Sequence, residues 1–122
     1  MPELMWEPVD FLELLGVAPT EEEYGASLHY VVHRQDVRLE LTVWPMSGDV
    51  TVSVYCSTQR QPVMNLNLLD CPGARVVDDK RGKFIEFAAA NPFVGRFDNT
   101  APAPYGFRVQ VDPFVQVTPY AY

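Results

Sequence analysis

In VRLELTVW, residues 37–44, Val37, Leu39, Leu41 and Val43 occupy every second position, with Arg38, Glu40 and Thr42 between them. DVTVSVYC, residues 49–56, repeats the alternation: Val50, Val52, Val54 and Cys56 share one parity, Thr51, Ser53 and Tyr55 the other. Period two is the signature of a half-buried antiparallel strand. WPMSGD between the runs holds Pro45 and Gly48 in turn-compatible places, so the pair reads as a hairpin. Its expected core face comprises Leu39, Leu41, Val43, Val52 and Val54.

The alternation extends in both directions. SLHYVVH (27–33) places Leu28, Tyr30 and Val32 opposite His29, Val31 and His33, and VMNLNLL sets Met64, Leu66 and Leu68 against Asn65 and Asn67. RVVDDKRGKFIEF (75–87) reads as two short strands around an Asp-Asp-Lys-Arg-Gly turn, with Gly82 free to take positive φ. In YGFRVQVDPFVQV, Phe107, Val109 and Val111 share parity with Val115 and Val117. Pro113 interrupts that run, which predicts one edge or bulged strand with Phe107 and Phe114 in the core. NPFVGRFDNTAPAPYG, residues 91–106, has no periodicity and reads as a long proline-rich loop.

Before residue 27 the pattern is helical. EPVDFLELLG has Pro8 suited to a first turn, acids at the positive end and Gly16 at the stop. Phe11, Leu12 and Leu15 form its apolar patch, while Asp10 and Glu13 face water. PTEEEYG adds a capping-box pair, Thr20 and Glu23, with room for about one more turn before Gly25.

Together these elements predict an α+β fold: an N-terminal helix packed on a predominantly antiparallel, meander-like sheet of about six or seven strands. A small closed β-barrel with a helical plug is the alternative. The chain length of 122 residues suits one domain, with an acidic helical region over 1–25 and an antiparallel β region over 27–118.

Charge changes the picture once it is located. The net −7 resides entirely in residues 1–24, where Glu3, Glu7, Asp10, Glu13, Glu21, Glu22 and Glu23 face no lysine or arginine. The remaining nine acids are balanced by all nine bases. Nucleic-acid binding needs Lys and Arg against phosphates, so such a partner is not expected; the located acidity suits either a basic protein partner or simply a solvated acidic face. No apolar run approaches the ~20 residues that span a bilayer. MPELMWEPVD carries acids where an export signal has a basic stretch, so the expected location is cytoplasmic and no membrane partner is expected.

Candidate chemistry is sparse. His29 and His33 on one strand would stand roughly 13 Å apart, too far to share a metal, so neither metal nor cofactor is expected. Cys56 and Cys71 form no CxxC pair and read as a buried thiol and a loop thiol. GxSxG, P-loop and GxGxxG patterns are absent, which disfavours an enzyme. The candidate binding residues are Glu21, Glu22 and Glu23 in the acidic region, with Phe93, Arg96, Phe97, Asp98 and Tyr105 in the proline-rich loop, where rigid aromatics suit anchoring. Asp78, Asp79, Lys80 and Arg81, at a charged hairpin tip, are a secondary contact. The expected function is a non-catalytic protein-interaction module, for example a cytosolic inhibitor or immunity-type protein. The alternative is a small enzyme or ligand-binding domain with a pocket beneath the 91–106 loop, using Asp98, Arg96 or His33.

Overall fold

The computed structural model describes residues 4–22, 25–56, 59–80, 82–89, 105–112 and 114–121. Among these residues one helix, α1 (Pro8–Leu15), precedes nine strands: β1 (Thr20–Glu21), β2 (Leu28–Arg34), β3 (Val37–Trp44), β4 (Asp49–Cys56), β5 (Met64–Leu68), β6 (Ala74–Asp79), β7 (Gly82–Ala88), β8 (Tyr105–Gln110) and β9 (Gln116–Ala121). The strands form two antiparallel sheets, in order β1-β2-β3-β4-β5 and β6-β7-β8-β9. The class is α+β, but the expected single sheet is two and neither closes into a barrel.

The division falls at residues 69–73. Asp70 takes a left-handed φ of 54°, and Cys71 donates its N–H to Gly48 O at 2.7 Å, turning the chain away from β4 and β5. The N-terminal stretch wedges into this junction: Leu4 N–H donates to Pro45 O, Met5 N–H to Pro72 O, and Ala74 N–H to Met5 O.

The central hairpin has the expected parity. Leu41 pairs with Val52 and Leu39 with Val54; Leu39, Leu41, Val43, Val50 and Val52 are buried and Val54 packs against them. A single apolar cluster joins these side chains to Phe87, Phe107 and Val109 of the second sheet. Phe11 of α1 belongs to it, with ring centroids 6.1 Å from Tyr30 and 5.7 Å from Phe87. The helix lies beside β6 and β7 and reaches both sheets through Phe11.

Four local readings are corrected. The buried helix face is Phe11, Leu14 and Leu15, spaced i, i+3, i+4, and Leu12 is exposed. Thr20 does not cap a second helix: it pairs with His29 as part of edge strand β1. The segment around Pro113 is two strands, β8 and β9, paired from Tyr105↔Ala121 to Gln110↔Gln116, and Phe114 beside their turn is exposed. Cys56, expected as buried, is half-buried, whereas Cys71 lies in a loop as expected but is fully buried there. Among the described residues no helix is long and apolar enough to cross a membrane.

Candidate functional site

The first sheet turns its apolar parity inward and leaves a polar face outside. Register sets its rows: His29, Thr42, Thr51 and Asn67 lie side by side, then Val31, Glu40, Ser53 and Asn65, then His33, Arg38 and Tyr55. His29 Nδ1 lies 2.6 Å from Thr42 Oγ1, and Nε2 lies 3.0 Å from Glu40 Oε1. A carboxylate only accepts, so Nε2 carries the proton and, in the neutral ring, the Thr42 hydroxyl donates to Nδ1. Arg38 Nε donates to Glu40 Oε2 at 2.9 Å, and its guanidinium stacks 4.0 Å from the centroid of Tyr55. Thr51 donates to Asn67 and Ser53 to Asn65, which ties β4 to edge strand β5. His29 is thus held by Thr42 and Glu40, and His33 stands exposed two positions along the same face.

The second sheet buries a charge. Glu86 is 2% exposed although it lies on the parity opposite Ile85 and Phe87. Arg75 Nε donates to its Oε1 at 3.2 Å and Arg108 Nε pairs with its Oε2 at 3.6 Å, both from register neighbours. The Arg108 guanidinium stacks 4.2 Å from the Tyr120 centroid. Burial first, then the Glu86 charge, holds the Tyr120 phenol protonated far above its usual range. Each oxygen of this buried carboxylate thus faces an arginine from a neighbouring strand. Beside it Phe84, Arg108, Gln110, Gln116 and Thr118 line an open depression of about 280 Å³.

A further concavity lies beside α1. Leu4, Met5, Trp6 and Phe11 form an open cleft of about 410 Å³ with Ala74 and Val76 of β6; Glu7, Asp10 and Arg75 supply its charge. Glu7 occupies the helix N-cap position without a side-chain capping bond. Met5, Val9 and Leu12 are exposed around this part of the molecule, at 55%, 61% and 45%.

Among the expected binding residues, Glu21 lies on β1 and Glu22 follows it, both exposed; Glu22 N–H donates to Ser27 O. Asp78 and Asp79 end β6 and Lys80 begins the turn, all exposed. Tyr105 opens β8, in register with Ala121. Glu23, Arg81, Phe93, Arg96, Phe97 and Asp98 lie outside the described residues, as does most of the 91–106 loop and so the pocket expected beneath it. The described candidates are not brought together into one site. What the residue pattern overlooked is the Arg38–Glu40–His29 chain, the Glu86 pair of arginines and the cleft at Trp6. The first was present in the alternation once β2 and β3 are paired; the other two depend on burial and on contacts distant in sequence.

No protein-family model matches this chain, and no curated protein matches its sequence. Its fold does have a likeness. A chain of the contact-dependent growth inhibition toxin–immunity protein complex from Klebsiella pneumoniae 342 superimposes with a TM-score of 0.79, covering 100% of both chains at 10% sequence identity.

Proposed function

We propose that this protein is an immunity-type interaction module, which binds a growth-inhibiting protein toxin and neutralises it in the cytoplasm of the cell that makes it. The observation that carries this reading is the likeness of the whole fold to a chain of a toxin–immunity protein complex. That complex joins a toxin to an immunity protein, and the charge of this chain favours the immunity side. Seven acids without a base in residues 1–24 suit the partner that attracts a basic protein.

The proposed contact uses Glu21, Glu22 and Glu23 with the acids of α1 for encounter. Phe93, Phe97 and Tyr105 serve as anchors, with Arg96 and Asp98 at their rim and Asp78, Asp79, Lys80 and Arg81 as a secondary contact. Acidic rim charges accelerate association, whereas buried aromatics slow dissociation.

The test is a competition between sibling cells. A strain of the source organism lacking this gene should be inhibited on contact with its parent, and a plasmid copy should restore growth. Equal growth of the deletion strain beside its parent would reject the proposal.

A further inference from the structure

The cleft between α1 and β6 combines features that point to one chemical kind of occupant. Its walls are apolar: Leu4 and Phe11 are buried at its base, and Trp6 is half-buried, edge-to-face with Phe11 at 4.8 Å. Two exposed carboxylates, Glu7 and Asp10, stand on its lining, and none of the described residues pairs with either. The cation on that lining, Arg75, directs its Nε to buried Glu86, and its side chain is only 20% exposed. The positive end of α1 lowers the field of the two acids without cancelling it, since a helix terminus carries about half a charge.

An anionic occupant would meet Glu7 and Asp10, and a purely apolar one would strip water from both without replacing it. A long cationic side chain fits both parts: its methylenes lie on the apolar wall while its head stays with the carboxylates. A guanidinium suits them better than an ammonium. It is planar, stacks on indole, and presents several donors in one plane to two carboxylates.

We propose that this cleft seats an arginine side chain of the protein partner. The proposal deepens the immunity reading and rests on it for the partner's identity. Met5, on the cleft's own lining and 55% exposed, supplies apolar surface that a partner would cover.

The test needs no toxin. N-acetyl-arginine-amide is titrated into the labelled protein, and the indole N–H resonances of Trp6 and Trp44, the two tryptophans, are followed by NMR. The Trp6 signal should shift saturably while Trp44 stays still. The neutral isostere N-acetyl-citrulline-amide should have no effect, and the double variant Glu7→Gln, Asp10→Asn should bind about fivefold more weakly. A stationary Trp6 signal, equal binding of citrulline, or unchanged affinity in a folded double variant would overturn the arginine site. Should that variant fail to fold, the citrulline comparison on the native chain decides. Because sibling competition tests immunity separately, an empty cleft would leave the immunity reading standing, and a filled one would survive its failure.

Discussion

Burial governs what Cys71 can do. Its thiol is pushed up from the ordinary 9.0 to about 12, first by burial, with backbone contacts at Gly73 and Ala88 pulling the other way. The thiolate is the reactive form, so a thiol reagent at mildly alkaline pH should label half-buried Cys56 in the folded protein. Cys71 should react only on unfolding, and mass spectrometry of the labelled peptides distinguishes the two. The same shift has a consequence for stability. The folded state holds this proton more tightly than the unfolded state, so stability is fully present below pH 9.0 and declines as pH rises towards about 12. Tyr30, raised from 10.0 to about 12 mainly by burial, adds to the decline over the upper part of that window. Cys71→Ala should therefore flatten the alkaline loss of melting temperature, and an unchanged slope would remove Cys71 as a cause. None of this was legible in the neighbours of Cys71. Leu69, Asp70, Pro72 and Gly73 look like an open loop, and it is the N-terminal stretch pairing with Pro72 and Ala74 that lines the junction.

Turns decide which strands meet, and they were readable only in part. The β3–β4 hairpin was legible because alternation fixes parity, and a one-residue slip would expose Leu39, Leu41 and Val43 together. The break between β5 and β6 was not, because Asp70, Pro72 and Gly73 would serve equally well in a hairpin within one sheet. What redirects the chain is a backbone contact across the sheet. Gly48 has φ of 78°, and a Cβ built there would stand 2.7 Å from Cys71 O. Gly25 has a similar φ of 68° with nothing within 4 Å of a Cβ. Left-handed backbone alone costs an alanine about 1–2 kcal/mol. Gly25→Ala should therefore lose about that much in denaturant unfolding. Gly48→Ala should lose clearly more, because it also pushes β4 from the junction. Equal losses would mean that Gly48 is chosen for conformation only and that the junction tolerates displacement. The cleft at Trp6 has the same dependence: Met5, Pro72 and Arg75 are adjacent only after this turn is made, so no local pattern announces it.

Across the molecule, the two sheets share one apolar cluster, and α1 is the element whose aromatic side chain touches both. An ion pair adds to this, Arg34 Nε donating to Asp112 at 3.1 Å, but Asp112 is 68% exposed, and such surface pairs contribute little. The shared apolar cluster, with Phe11 in contact with both sheets, must then carry most of the cooperation between them. We expect the chain to unfold in one transition, with far-ultraviolet circular dichroism and tryptophan fluorescence coincident, since Trp44 reports the first sheet and Trp6 the junction. Phe11→Ala should cost about 3–5 kcal/mol and move both signals together. Leu12→Ala, one position along on the exposed face, should cost far less. If Phe11→Ala instead separated the two signals into successive steps, each sheet would be a folding unit of its own. The acidic helix would then join two independently stable halves. A partner seated on α1 would in that case stabilise their docking, not the fold of either sheet, and the two situations differ in whether partner binding raises one melting temperature or merges two.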